Sequence, residues 1–298
     1  MTPVPLTNQD RVVFPDDGIT KGEVVAYYEA VAPRMLPHLA GRPLTLERYR
    51  ASIAEGGFFQ QSFGSLKDEW LERVTVAKAE GGTVDHAVCR SAEGLVYLAN
   101  QGALTLHAWP ARAPELERPD ALVLDLDPAE DDFAPVRRAA LLLREVLADV
   151  GLAGRPMTTG SRGLHVVLPL GAEVGWPELW EGAKALGAAL VARAPKELTR
   201  AFYKSQRRGR LYVDGAGARR GHTVVAPYTV RARPGAPVAA PLAWEEVEDP
   251  ELHARRWTLR TVLERPGDPW AGMWDEPQPL REAAATLAAA PRRRRGGG

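Results

Sequence analysis

Cysteine is nearly missing from these 298 residues; Cys89 stands alone. One thiol closes no disulfide within the chain, which suits a reducing compartment. Cys89 follows an Asp-His pair, Asp85 and His86, an order open to a nucleophile; a small apolar core residue is the plainer reading. Long apolar runs are missing too, since no stretch reaches the roughly 18 residues of a membrane span. The opening "MTPVPLTNQD" has neither the basic start nor the apolar core of a secretory leader, so a cytoplasmic, nucleoid-associated protein is expected. Net charge is absent as well. Lys plus Arg and Asp plus Glu both number 38, so only the distribution of charge can argue for a polyanionic partner. No internal repeat is present.

What is present is a punctuated pattern of helices and strands. "GITKGEVVAYYEAVAPRML" offers Thr20 with Glu23 three residues on, the reciprocal pair of a helix start. Val24, Tyr27, Tyr28, Val31 and Met35 follow at helical spacing. Arg11 and Lys21 then lie near the positive end of that helix, where anions bind readily. "RPLTLERYR" reads as a strand, "GGFFQQSF" as a turn with two aromatics, and "GLVYLANQGALTLHAWP" as two short elements ending in His107. "DDFAPVRRAALLLREVLADVG" predicts an amphipathic helix. Asp132 would cap it, Pro135 suits its first turn, and Gly151 its stop. Val136, Ala139, Ala140, Leu143, Val146, Leu147 and Val150 form its apolar stripe. "RPMTTGSRGLHVVLPL" reads as strand, glycine-rich turn, strand, with a helix over about 177–194 after it. "GRLYVDG" and "TVVAPYTVRARPG" add two more strands. This irregular alternation predicts an α/β or α+β fold with mixed sheets.

The chemistry gathers around "ALVLDLDPAEDD", residues 121–132. Side chains two apart on a strand share a face. Leu122, Leu124 and Leu126 then enter a core, while Val123, Asp125 and Asp127 face the other way. Adjacent carboxylates repel, and each costs on the order of several kcal/mol to bury unpaired. They are tolerable at a solvated strand end before Pro128, or around a divalent cation with oxygen ligands. Asp214, ending "LYVD", is a third acid. Three carboxylates from two strands suit a two-metal phosphoryl-transfer site. "TTGSRGLH" supplies what a triphosphate needs: Gly160 and Gly163 for close backbone approach, Ser161 a hydroxyl, Arg162 and His165 charge or donors. Without that context it is an ordinary hairpin. Arg231 and Arg233 either extend the cationic surface or mark the solvated face of a strand. His107 alone reads as a half-buried structural histidine. Phe58 and Phe59 cannot both face inward on a strand, so one exposed ring could stack on a base.

In order and spacing these motifs resemble the polymerase domain of bacterial DNA ligase D, a branch of the archaeo-eukaryotic primase superfamily. The resemblance runs from "LTNQDRVVFPDDGITKGEVVAYYEAV" through "GGFFQQ", "LANQGALTLHAW", "LVLDLDP" and "TTGSRGLHVVLPL" to "VAPYTVRARPGAPVAAPLAWEEV", nearly the whole chain to about residue 270. It implies a primase-like module: two packed mixed sheets flanked by helices, with the active cleft between them. A catalytic domain over residues 1–275 would be followed over 276–298 by a helix and the basic, glycine-ended tail "PRRRRGGG", expected to be disordered. The implied activity is template-directed nucleotidyl transfer at gaps or double-strand breaks in DNA repair, often with ribonucleotides, using two Mn2+ or Mg2+ ions. By motif, Asp125, Asp127 and Asp214 match the metal-binding catalytic carboxylates. Ser161, Arg162, His165 and Arg231 match the triphosphate-binding set. His107, Phe58 and Phe59 match residues near the incoming sugar and base. Arg11 and Lys21 match basic positions that hold the 5′-phosphate across a gap. The implied partners are gapped or broken DNA with a 5′-phosphate, ribo- or deoxyribonucleoside triphosphates, and a separate ATP-dependent DNA ligase with a Ku-type end-binding protein; no membrane is implied.

Three departures stand out. Arg162 occupies a place where lysine is common, which keeps the charge but alters geometry. Glu47 replaces a frequent base, and "GAGARRG" after Asp214 replaces an aromatic-led stretch. No KxDG ligase motif is present. The rival readings are a DNA-end binding module without catalysis, a primase acting in excision repair, an aspartyl phosphatase and a glycosyltransferase. Aspartyl phosphatases typically carry Thr or Val two residues beyond the second Asp, where Ala129 stands after Pro128, and the glycosyltransferase reading leaves "TTGSRGLH" with Asp214 unexplained.

Overall fold

The computed structural model describes residues 3–78 and 80–289. A short antiparallel pair, β1 (Val12–Phe14) and β2 (Ile19–Thr20), leads into α1 (Lys21–Leu39). The predicted capping box is in place. The Thr20 hydroxyl accepts from the Glu23 amide at 3.2 Å, and the Glu23 carboxylate accepts from the Thr20 amide at 2.9 Å. Then follow β3 (Leu44–Arg48), β4 (Phe58–Gln60), β5 (Glu72–Ala77), β6 (Thr83–Val88), α2 (Ala92–Asn100) and β7 (Ala103–Ala108). Next come β8 (Ala121–Asp127), α3 (Ala134–Asp149), β9 (Arg155–Thr158), β10 (Leu164–Pro169), α4 (Trp176–Arg193) and β11 (Leu198–Thr199). The one-turn α5 (Lys204–Arg207), β12 (Leu211–Asp214), β13 (Val224–Val225), α6 (Trp244–Glu248) and α7 (Leu280–Ala289) complete the order.

The strands form two larger sheets. One runs β11-β12-β8-β10-β9; the other runs β13-β7-β3-β6-β5, with β4 also on β3. Among the described strands only β11–β12 is parallel, so the first sheet is mixed and the second antiparallel. Helices cover the outer faces. α1 and α2 bury Tyr28, Val31, Leu95 and Leu98 against Leu44, Leu46, Leu104 and Leu106. α3 and α4 bury Leu143, Leu147, Leu179 and Leu186 against Leu122, Leu124, Leu126, Val166 and Leu168. Each such leucine contributes roughly 1.5–3 kcal/mol by leaving water. A smaller cluster, including Val123, Val167, Val225 and Trp270, joins the two sheets. The fold is therefore the expected pair of helix-flanked sheets.

Several local readings shift. The aromatic turn is in part a strand, because Phe58–Gln60 pair with Arg48, Glu47 and Leu46. Gly57 lets the chain pass Tyr49 closely; a Cβ there would lie 2.6 Å from the ring. α3 begins one residue late, with Phe133 as cap, while Asp132 accepts from the Ala134 amide at 3.0 Å. The strand read in "TVVAPYTVRARPG" shrinks to β13, with Arg231 and Arg233 in irregular chain beyond it. α7 docks on α4: Leu280 and Ala283 are buried, and Arg281 pairs with Glu178 at 3.0 Å. The tail "PRRRRGGG" lies outside the described residues.

Candidate active site

β8 carries its alternation into the cleft. Leu122, Leu124 and Leu126 are buried on the α3 side, while Asp125 and Asp127 are half-buried on the other. The antiparallel register sets Asp214 of β12 opposite Asp125, and Tyr212 opposite Asp127. On the other edge of β8, His165 of β10 lies opposite Asp125, with its Nε2 3.5 Å from the carboxylate. Burial first, then the charges of Asp127 and Asp214, push the Asp125 carboxyl up to about 7. Asp127 is answered differently. Arg162 donates to one of its oxygens at 3.3 Å and Arg207 to the other at 3.2 Å.

The β9–β10 turn is built around Thr159. Its hydroxyl accepts from the amides of Ser161 at 3.3 Å and Gly163 at 3.2 Å, and donates to the Gly163 carbonyl at 3.1 Å. Gly160 takes φ +64°, and a Cβ there would meet the Val238 carbonyl at 2.9 Å. At Gly163 a Cβ would lie 2.5 Å from the Leu126 carbonyl, so the turn sits directly on β8. Arg231 donates to the Thr159 carbonyl at 2.7 Å, and Arg255 to the Ser161 carbonyl at 2.9 Å.

Together these elements enclose a cavity of about 440 Å³. It is lined by Asp125 and Asp127, by Ser161, Arg162 and His165, and by His107, Arg231 and Arg233. Three buried polar atoms of these residues, His107 Nε2, His165 Nδ1 and Arg231 Nε, have no protein partner. An unmade buried hydrogen bond costs about 1–3 kcal/mol, which a polar ligand can recover. Burial and then Arg231 hold His107 down to about 4 and His165 to about 3. Both rings are therefore neutral near pH 7. His165 offers a hydrogen bond rather than the charge the sequence left open.

The remaining candidates lie around this cavity. Asp214 shares the β8–β12 ridge but faces a second cavity. Phe59 is 67% exposed, with its ring edge-on to His107 at 5.7 Å. Phe58 leans away, under the guanidinium groups of Arg48 and Arg50 at 5.6 and 5.4 Å. Arg11 and Lys21 stand apart at the start of α1. Arg11 donates to the Arg50 carbonyl at 2.6 Å and Lys21 to the Thr7 carbonyl at 2.6 Å, while Arg11 Nε is buried without a partner. Burial and the Arg11 charge lower Lys21 to about 8.

Sequence reasoning missed Thr159, Arg207 and Arg255 as parts of the cleft. Thr159 lies within "TTGSRGLH" without having been singled out, and Arg207 left a trace in the basic run "KSQRRGR" before β12. Glu47 accepts from the Tyr49 hydroxyl at 2.6 Å and lies opposite Phe59. Of the two arginines in "GAGARRG", Arg219 is exposed and lies over the Trp180 ring at 4.1 Å, and the half-buried Arg220 pairs with Glu117 at 2.7 Å.

Among the described residues, no three His, Cys, Asp or Glu side chains are gathered into a ready ion-holding cluster. The donor chemistry nevertheless fits a hard divalent cation: Asp214 lies opposite Asp125 in register and Asp127 is two residues along the same strand, and burial with its acidic neighbours disfavours the Asp125 charge, which a cation would offset. No described helix is long and apolar enough to cross a membrane.

A family model described as LigD, primase-polymerase domain, matches residues 20–270. The multifunctional non-homologous end joining protein LigD of Mycolicibacterium smegmatis is 34% identical over 287 residues, covering 95% of this chain and 37% of that protein. The corresponding DNA repair protein of Mycobacterium tuberculosis is 37% identical over 275 residues, covering 89% of this chain and 36% of its own length. The chain thus spans little more than a third of these relatives. The solved polymerase domain of Mycobacterium tuberculosis ligase D in complex with DNA superposes with a TM-score of 0.86 at 35% identity, over 93% of this chain and all of that one. The chain belongs to the LigD primase-polymerase domain family.

Proposed function

We propose that this chain is a template-directed nucleotidyltransferase that adds nucleotides, with a preference for ribonucleotides, to DNA 3′ ends at gaps or double-strand breaks. The observation that carries the reading is the cavity's division of charge. Carboxylates form one wall, and Arg162, Arg231 and Arg233 stand with three unpartnered buried polar atoms around the rest. A nucleoside triphosphate answers both needs. Its phosphates would take the Ser161 hydroxyl, the arginines and a neutral His165. Its sugar and base would lie toward His107 and Phe59, whose exposed ring suits stacking.

Asp125, Asp127 and Asp214 would hold two Mn2+ or Mg2+ ions. Bound there, such ions supply Lewis acidity toward phosphate oxygens and a lowered pKa for the attacking hydroxyl. The protein's own part is positioning and electrostatics. The Thr159 hydroxyl fixes the amides of the phosphate turn, and Arg231 and Arg255 hold its carbonyls. Arg11 and Lys21, with an unpartnered buried Nε between turn and helix, would take the 5′-phosphate of the strand beyond the gap. A DNA ligase and a Ku-type end-binding protein are the partners we propose for joining.

Extension of gapped, 5′-phosphorylated DNA, with ribo- and deoxyribonucleotides in manganese and in magnesium, tests the reading. Nucleotide addition directed by the template is expected. Binding of the same DNA without addition in either metal would replace it with a non-catalytic end-binding role.

A further inference from the structure

The ridge formed by β8 and β12 has a second side. A cavity of about 450 Å³ adjoins it there, lined among others by Trp180, Arg200, Phe202, Tyr212, Asp214 and Arg219. Asp214 faces this space and is not part of the first cavity's wall, while Asp125 and Asp127 belong to the first. The acidic ridge therefore separates two chambers of similar size.

The mouth of the second chamber is unusual for a protein surface. Phe202 is 70% exposed and Tyr203 64%, the most exposed large apolar side chains described beyond Phe59. Their rings meet edge to face at 5.4 Å. Cations stand on the chamber's other two rings. Arg219 lies over Trp180 at 4.1 Å, and Arg207 over Tyr212 at 3.9 Å. Arg207 also donates to the carbonyls of Ala201 at 3.2 Å and Phe202 at 3.1 Å, and at 3.2 Å to Asp127. The backbone that displays the aromatic pair is thus tied, through one guanidinium, to the carboxylate ridge.

Exposed rings among arginines match a ligand with flat faces and regularly spaced anions. A single nucleic-acid strand has both. The ridge gives it a reason to be there: a triphosphate filling the first chamber leaves the attacking hydroxyl to approach from the other side. We propose that the Phe202–Tyr203 pair and the Arg200–Arg219 chamber hold the unpaired 3′-terminal nucleotides of the DNA strand being extended. The inference rests on the nucleotidyltransferase reading for its direction. Its binding content can be measured without any turnover.

The test uses the full chain and the double variant Phe202→Ala/Tyr203→Ala, both substitutions being at exposed positions. Fluorescence anisotropy would follow a duplex with a single-stranded 3′ tail and the same duplex blunt-ended. A fluorescent nucleotide analogue would report the first chamber separately. Tailed DNA should bind the variant about tenfold more weakly, on the order of one lost stacking platform. Blunt DNA and the analogue should be unaffected within twofold, and Phe202→Trp with Tyr203 intact should retain tail binding. In extension assays the variant's KM for the tailed primer should rise while its KM for nucleotide stays. Unchanged tail binding would overturn the proposal, as would equal weakening for tailed and blunt DNA. Should the wild type bind tails through this pair yet add no nucleotide, the groove stands and the catalytic reading fails.

Discussion

In the cleft, Arg162 and Arg207 both direct their charge at Asp127, whereas Arg11 and Lys21 rest on backbone carbonyls and the Thr7 hydroxyl. The difference lies in what each region must wait for. The cleft sets cations against acids, so an incoming anion competes with Asp127 for its arginines and a cation competes with the arginines for Asp127. At the start of α1 two cations sit side by side, and burial together with the Arg11 charge lowers Lys21 to about 8. That second region has little to rearrange before an anion arrives. It also has the helix N-terminus in its favour.

The contrast can be broken most severely from the cleft. Asp127→Ala should lower gap filling on the order of a hundredfold or more, the scale of losing a transition-state contact. Binding of 5′-phosphorylated DNA should stay within twofold. Single-turnover extension beside a binding titration reads both, and near-normal addition would remove Asp127 from the chemistry. Arg231→Ala should raise the nucleotide KM some tens-fold, as expected for a lost charged hydrogen bond of about 1.5–3 kcal/mol. Phosphate-end binding should again be spared.

The α1 region should respond in the opposite sense. Lys21→Ala should reduce the preference for 5′-phosphate over 5′-hydroxyl ends roughly tenfold, with nucleotide KM unchanged. The same preference should depend on pH. Lys21 is charged below about 8 and neutral above it. A terminal phosphate gains its second charge above about pH 6. The preference should therefore be greatest between these values and decline as the pH rises through 8; a flat profile to pH 9.5 would detach Lys21 from the contact. The smallest effect expected is from Phe59→Ala, about fivefold in nucleotide KM, the low end for a lost stacking face.

Much of this was legible in local pattern. The capping box of α1 and the leucine–aspartate alternation of β8 depend only on neighbours in sequence, and both are found as read. Asp214 was legible as the acid ending an apolar run; its seat opposite Asp125 follows from strand register. The distant contributors were not. Arg207 reaches Asp127 across 80 residues and Arg255 reaches Ser161 across 94, and no spacing rule announces such contacts. Nor could the sequence report that His107 and His165 are neutral, since that state comes from burial beside Arg231. The short β4 escaped because Gly56 and Gly57 read as a turn, while tertiary pairing with β3 made its end a strand.

The contact between Gly163 and the Leu126 carbonyl fixes one dimension of the molecule. Main chain touches main chain there, leaving no room for even a methyl group. How far the β9–β10 turn stands from the acid-bearing strand is therefore a property of polypeptide thickness. Side chains such as Arg162 can be exchanged without moving that gauge, whereas alanine at 163 would wedge the two halves of the cleft apart.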